Sequence, residues 1–196
     1  MRAYPAGSDD DLLRRMQDGD EEAFVAIYRR YQGGIYRFAL HMTGNSAMAE
    51  EVTQEVFMTL IGRPERFDSQ KGSLQAFLFG IGRNHTLHCL EREREFMPLS
   101  RGEEWAADAR GSESGKLLDD LVREESVERV REAVKSLPTK YREVVALCDL
   151  EEKSYAEAAQ ILACAVGTIR SRLHRARGLL LAKLEVLHGA PANLNG

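Results

Sequence analysis

The run Tyr155-Ala-Glu-Ala-Ala-Gln-Ile-Leu-Ala-Cys-Ala-Val-Gly-Thr-Ile-Arg-Ser-Arg-Leu-His-Arg-Ala-Arg177 constrains the fold more than any other part of this chain, because it divides into two short helices around a tight turn. On the second helix Ile169, Leu173, Ala176 and Leu180 recur at helical spacing and form one apolar face, while Arg170, Ser171, His174 and Arg175 gather on another. Between Val166 and His188 five Lys/Arg stand against the single acid Glu185, in a chain whose formal net charge is −4. Positive charge concentrated in this way is the footprint of an element that touches phosphates. A lone amphipathic helix with a solvated basic stripe would share that pattern. The preceding segment, Ser154 to Leu162, argues against it. Ser154 is placed to cap a helix, with Glu157 closing a capping box. Ala158, Ala159 and Ala163 leave a small surface on which two helices can cross steeply. Packing and charge together predict a helix-turn-helix.

Composition sets the frame for the rest. A 196-residue chain that is 43% hydrophobic and 30% charged, with 5 Pro, predicts a mostly helical protein of one domain or two small ones. No apolar run reaches the roughly 20 residues needed to cross a bilayer, and the N-terminus carries no apolar signal core, so the expectation is a cytoplasmic protein without membrane insertion. Cys89, Cys148 and Cys164 are odd in number and far apart, which predicts reduced thiols and no disulfide framework. His85, His88 and Cys89 supply at most two or three ligands on one helix with no second half in sight, so no metal site and no cofactor are expected. Glu50, Glu51 and Glu55 lack a histidine at the spacing of a helix-borne metal centre, and no catalytic residues are expected.

Along the chain the periodicity predicts an all-α fold of two small helical domains joined by a flexible linker, the second containing the helix-turn-helix. The first domain spans residues 8–96. Ser8 caps a short helix ending near Gly19. Asp20 caps a long one with Phe24, Ile27, Tyr28, Tyr31, Ile35, Phe38 and Ala39 inward, stopped by Gly44 and Asn45. A third runs from after Ser46 to about Ile61 with Ala49, Val52, Val56, Phe57 and Leu60 inward and Gly62 as cap. After a loop from Arg63 to Gly72, a fourth runs from about Ser73 into Arg92-Glu-Arg94, burying Leu74, Phe77, Leu78 and Ile81. Residues 97–123 form an acidic linker; from Glu103 to Glu128 there are nine acids and three bases. That acidity serves solubility, or else acts as a nucleic-acid mimic or a brace between domains. The second domain, 124–188, resumes with Val127, Val130, Val134 and Leu137, then Pro138 opens a helix from Thr139 to about Leu150 with Val144, Val145 and Leu147 inward.

Leu137-Pro-Thr-Lys-Tyr-Arg-Glu-Val-Val, then Ser154-Tyr-Ala-Glu-Ala-Ala, then Val166-Gly-Thr-Ile-Arg-Ser-Arg-Leu-His-Arg-Ala-Arg resemble the second domain of bacterial extracytoplasmic-function (ECF) sigma factors, members of the sigma-70 family. In the first half, Ala23-Phe24 with Tyr28-Arg-Arg-Tyr31, Ala49-Glu-Glu-Val-Thr-Gln-Glu-Val-Phe57 and Leu78-Phe-Gly-Ile-Gly-Arg-Asn84 resemble that family's first domain, in the same order. The resemblance runs from about Asp10 to Leu187. It implies a protein without an active site that binds core RNA polymerase and directs promoter-specific initiation through the -10 and -35 elements, and it points to control by an anti-sigma factor.

By the same resemblance Arg170, Ser171, His174 and Arg175 read the -35 element in the major groove, and Thr168 meets a phosphate at the start of the recognition helix. The loop from Glu65 to Ser73 takes an extruded base of the -10 element, with Phe67 stacking, Lys71 on the backbone and Asn84 offering a donor and an acceptor. Phe67 can equally plug the loop, and Asn84 can be a plain surface amide. Glu51, Gln54, Glu55 and Thr59 form the face that meets the polymerase, or a solvated surface. Two departures from the family pattern stand out. Alternating acids in His88-Cys-Leu-Glu-Arg-Glu-Arg-Glu95 dilute a basic stretch, predicting weaker contact with duplex just upstream of the melted region. Cys148 replaces a basic residue near the phosphate backbone, leaving a thiol that is either buried or a redox sensor. The competing expectation is a dimeric helix-turn-helix regulator with an N-terminal sensing domain, which binds paired half-sites without polymerase, whereas the sigma reading expects a monomer when free.

Overall fold

The computed structural model describes residues 7–96 and 117–189. Among these, secondary structure is helical throughout, in the order α1 (Asp9–Gln17), α2 (Glu21–Thr43), α3 (Ser46–Gly62), a 3-10 turn (Pro64–Arg66), α4 (Leu74–Phe96), α5 (Leu117–Lys135), α6 (Thr139–Val145), a π turn (Ala146–Leu150), α7 (Tyr155–Ile161) and α8 (Val166–Gly189).

Helix ends in the first body follow from its polar punctuation. Ser8 accepts a bond from the Asp11 amide at 3.2 Å, and Asp9, Asp10 and Asp11 put negative charge on the positive end of α1. Asp20 caps α2 through the amides of Glu22 and Ala23, while its other oxygen takes two bonds from the Arg15 guanidinium at 2.9 and 2.7 Å. That guanidinium holds the Asp20 carboxyl below its ordinary range. Gly44 ends α2 at φ 69°, a left-handed conformation glycine adopts without a Cβ penalty, and its amide returns to the Leu40 carbonyl at 2.7 Å. Asn45 then belongs to the next helix, not the previous one: its side chain accepts from Met48 N at 3.1 Å, so α3 starts at Ser46 itself. Burial pushes the Tyr31 phenol pKa up, and its hydroxyl bonds Asp9, tying α1 to α2.

Ile27, Ile35, Phe38, Ala39 and Met42 of α2, Val52, Val56, Phe57 and Leu60 of α3, and Leu74, Leu78 and Phe79 of α4 are buried together. Each large side chain of this set contributes on the order of 1.5–3 kcal/mol by leaving water. Gly82 is buried where α4 faces α2 and α3, and a Cβ there would meet Ile35 and Val56 at 3.4 Å, an ordinary packing contact. Four expected core positions lie farther out, among them Phe77 and Ile81 of α4, which are half-buried against the core. Phe24 is half-buried and Tyr28 is 40% exposed, each joined to Phe57 in an aromatic cluster at the edge of the body.

In the second body α5 begins at Leu117, inside the stretch 97–123 expected as linker; the remainder of that stretch lies outside the described residues. Leu117, Leu118 and Leu121 already carry helical spacing, which the neighbouring acids obscure. Val127 and Val130 are each 43% exposed, and among the described side chains of α5 the buried ones are Ala133 and Val134. The helix expected from Thr139 to Leu150 breaks into α6 and a π turn, closed by Glu151 N bonding the Ala146 carbonyl at 2.9 Å. A π turn gives each residue a smaller rotation than an α turn, so it re-aims the chain before α7. Leu137, Val144, Val145, Ala146 and Leu147 close over Ala158, Ala159, Ile161, Leu162, Ile169, Leu173 and Ala176.

The two bodies dock on one another. Arg142 of α6 donates to the Met42 carbonyl at the end of α2 at 2.5 Å, and also to the carbonyls of Lys135 and Leu137. Arg83 of α4 meets Glu143 at 2.6 Å. Arg37 of α2 grips Glu151 with two bonds at 2.9 and 2.8 Å, and Gln75 of α4 reaches Glu157 of α7 at 3.1 Å. Lys153 lies 5.0 Å from the centre of the Phe79 ring. His41 stands 3.8 Å from Glu151, and burial pulls its pKa down.

Candidate nucleic-acid interface

The helix-turn-helix is built as its spacing requires. Ser154 accepts from Glu157 N at 3.2 Å and Glu157 accepts from Ser154 N at 2.8 Å, which satisfies two amides that the start of α7 would otherwise leave bare. These bonds hold the Glu157 carboxyl below its ordinary pKa. Ser154→Ala is therefore expected to cost about 1 kcal/mol, read as a lowered midpoint in urea. A depressed carboxylate stabilises the fold above its unfolded pKa and loses that contribution as pH falls through the folded value. The difference between wild type and S154A should accordingly shrink below the ordinary carboxylate range.

The turn passes through Ala163 at φ 48°, with Cys164 N bonded to the Ala159 carbonyl at 3.0 Å. α8 follows, seated on the second body by Ile169, Leu173 and Ala176, which are at most 1% exposed. Arg170, Ser171, His174 and Arg175 all face outward and Thr168 is half-buried at the start of the helix. Their neighbours differ. Ser171 donates to the Thr168 carbonyl at 3.0 Å, leaving its oxygen as an acceptor. The Arg175 guanidinium beside Tyr141 draws the phenol pKa down. Two residues further, Arg177 is held by Asp149 at 2.6 and 3.2 Å, a pairing that raises its pKa. Tyr141 and Asp149 are thus contacts to the recognition helix that its own spacing did not reveal, because they come from α6 and the π turn. Cys148 is half-buried, and burial followed by the nearby Asp149 charge pushes its thiol pKa up, away from a reactive thiolate.

A second surface lies on the first body. Asp68 accepts from Gln70 N at 3.0 Å and pairs with Lys71 at 3.1 Å, folding the loop before α4 into a tight turn; Ser73 caps α4 through Ala76 N. Phe67 is half-buried, edge-on to Phe77 at 5.5 Å, and so anchors the loop. Lys71 lines an open groove with Asp9, Asp10, Ser69, Gln70, Gly72, Ser73, Leu74 and, from α7, Gln160. Asn84 is exposed, ten residues or about 15 Å along the helix from Leu74, so it stands apart from the groove. On α3, Glu51, Gln54 and Glu55 are exposed and Thr59 is half-buried, with Glu51 3.5 Å from Arg92 of α4. Beside them Met58 and Ile61 are 57% and 51% exposed. Helical spacing does not single out these apolar side chains, because it assigns only the inward positions Ala49, Val52, Val56, Phe57 and Leu60. His85 is half-buried, His88 exposed and Cys89 buried; no group of three potential metal ligands occurs among the described residues.

A basic helix presented by a helix-turn-helix and packed against a second all-helical body is the architecture of a DNA-binding protein. Comparison with known proteins narrows the class. Residues 27–95 match the Sigma-70 region 2 family and residues 127–180 match Sigma-70, region 4. The chain is 31% identical over 182 residues to the ECF RNA polymerase sigma factor SigC of Mycobacterium tuberculosis, covering 91% of this chain and 94% of that one. It is 30% identical over 187 residues to the ECF RNA polymerase sigma-E factor of Escherichia coli, covering 92% and 96%. Among solved structures, the sigma factor RpoE bound to the anti-sigma factor NepR from Bartonella quintana aligns with a TM-score of 0.56 at 28% identity, covering 79% of this chain and 92% of that one. CnrH in complex with the cytosolic domain of CnrY shares the fold with a TM-score of 0.68 at 23% identity over 92% and 99%. The chain belongs to the ECF sigma factors of RNA polymerase, a family of transcription factors rather than enzymes.

Proposed function

We propose that this sigma factor works in the cytoplasm, binding core RNA polymerase and directing it to promoters through a division of labour between its two bodies. Residues 8–96 bind the polymerase and the -10 element, and residues 124–188 bind the -35 element. The observation that carries the reading is the recognition helix itself: Arg170, Ser171, His174 and Arg175 project from one exposed face while Ile169, Leu173 and Ala176 fix the opposite face in the core. Arg170 and Arg175 supply forks suited to guanine, Ser171 and His174 single bonds, and Thr168 a phosphate contact. Lys71 meets the backbone of the opened strand, Phe67 shapes the loop, and Asn84 contacts DNA farther along α4. Glu51, Gln54, Glu55 and Thr59 form the polymerase-binding face, with Met58 and Ile61 giving it an apolar centre of the kind that dominates interfaces. Control by an anti-sigma factor is supported by RpoE, which was solved with such a partner.

The test is transcription by purified core polymerase on a promoter library with and without this chain. Discrete start sites that appear only with the chain present are expected. Binding of the free chain as a dimer to paired duplex half-sites, with no effect on core polymerase, would replace this reading by that of an ordinary regulator. Lys71→Ala should weaken promoter complexes across sequences and make their salt dependence shallower by about one unit of log-log slope.

A further inference from the structure

Between Val166 and His188 the sequence sets five Lys/Arg against one acid, but the fold brings a second acid, Asp149, onto the same helix. Asp149 belongs to the π turn Ala146–Leu150, 28 residues before Arg177 in the chain. Its two carboxylate oxygens accept from Nε and Nη2 of Arg177 at 3.2 and 2.6 Å, so one whole edge of the guanidinium is occupied. The Asp149 side chain is 27% exposed and that of Arg177 57%, which makes the acid the less hydrated and more fixed partner.

Arg177 stands in line with the residues that face DNA. Arg170, His174 and Arg177 are spaced by four and three residues, share one stripe of α8 and are all exposed. Seven residues carry Arg177 about 10.5 Å beyond Arg170 along the helix axis. A recognition helix enters a major groove about 12 Å wide with its N-terminal residues on the bases, so a side chain that far along reaches the groove's edge, where the phosphates lie. A free arginine there adds a contact that any sequence satisfies. An arginine held on its Nε–Nη2 edge by a carboxylate instead meets the backbone as half of a neutral pair, with a like charge beside the phosphates.

We propose that Asp149 is an electrostatic brake on DNA binding: it holds Arg177 off the phosphate at the edge of the -35 groove and sets the affinity of the second body for duplex below what its cations alone would give. The proposal rests on the promoter-binding reading above. A phosphate contact strengthens binding to every duplex, so withholding one lowers capture by the many non-promoter sites of a genome. Base contacts from Arg170 and Arg175 then carry a larger share of the total.

The test is salt-dependent binding of the holoenzyme, core polymerase with the full chain, to promoter DNA carrying either a matched or a scrambled -35 element. Wild type is compared with Asp149→Asn, Arg177→Ala and the two together. Asp149→Asn keeps the shape of the side chain and removes its charge. It should steepen the log-log salt slope by about one unit and tighten binding about fivefold at about 0.15 M salt, equally on both DNAs. Arg177→Ala alone should leave the slope near that of wild type, and in its background Asp149→Asn should lose most of its gain. Equal gains in both backgrounds overturn the brake, because the acid then acts by charge alone. So does a full unit of slope lost on Arg177→Ala, which means that Arg177 already holds a phosphate. Unchanged or weaker binding by Asp149→Asn, or a gain confined to the matched element, overturns it as well. Urea midpoints are measured in parallel, and where Asp149→Asn fails to fold, Asp149→Ser takes its place. Absence of start sites with wild type at saturating core polymerase defeats the promoter-binding reading instead, and the same salt titration of the free chain on mixed-sequence duplex then decides the brake.

Discussion

Replacing Arg170 by alanine is expected to lower transcription from a cognate promoter by about 10- to 100-fold, with little change in stability, and to relax preference at one position of the -35 element. Arg170 is exposed on α8, one residue from the fully buried Ile169, so its position is fixed by the core while its guanidinium faces outward. A bidentate arginine–guanine pair contributes about 1–3 kcal/mol of discrimination, which is the source of that range. An exposed substitution of this kind alters folding by less than about 0.5 kcal/mol. Arg170→Lys should recover only part of the activity, because an ammonium cannot reproduce the planar fork. The Arg175→Ala effect should be smaller, since the Arg175 charge already interacts with the neighbouring Tyr141 phenol. The check is start-site mapping across promoters randomised in the upstream element, with urea denaturation run in parallel. Equal loss on every sequence would make Arg170 a phosphate contact, and no loss would remove it from the interface.

What was legible in the sequence was whatever depends on neighbours a few residues apart. The caps at Ser8, Asp20 and Ser154 come from side chains that bond amides two or three residues on, and the apolar face of α8 comes from helical spacing alone. The shift of Asn45 from the end of α2 to the start of α3 shows the limit of that logic: Gly44 and Asn45 both suit a break, and only the backbone decides which helix each serves. The π turn at Ala146–Leu150 was invisible because Val144, Val145 and Leu147 fit an α period as well as a wider one. The outward exposure of Arg170, Ser171, His174 and Arg175 on α8 was readable for the same reason as its core face. Tyr141 and Asp149 were not, since their proximity to α8 is a product of tertiary packing.

The docking of the two bodies was wholly illegible. Arg37 and Glu151 are 114 residues apart and Arg83 and Glu143 are 60, and each of the four looks in sequence like an ordinary solvated charge on a helical chain. Phe79, 1% exposed, is hidden for the same reason: it lies beside the expected inward residue Leu78, and its burial involves Phe38 and Gly34 of α2 and Lys153 of the other body.

Ile169→Ala should be the most destabilising change in the second body, by about 2–5 kcal/mol. Ile169 has no exposed surface and sits at the crossing of α7 and α8, where Ala158, Ala159 and Ala176 leave little side-chain volume to collapse into a vacated space. The loss combines the transfer energy of the deleted groups with the cavity they leave, and small neighbours on a packed helix crossing relax poorly. Against a total of about 5–15 kcal/mol for a typical domain, it removes a large share of stability. Ile169→Val, which deletes one methyl group and keeps the branched shape, should cost only about 0.5–1.5 kcal/mol. Urea titration by circular dichroism separates the two, with the alanine variant shifted to a lower midpoint at similar slope. Function should follow folding rather than contact. At a temperature where I169A is still folded, start-site preference should match wild type, because Arg170 and Arg175 keep their chemistry. On warming, transcription should fail together with the helical signal. Unaltered start sites after the helical signal has gone would mean that α8 does not need the packing of Ile169 to present its basic face.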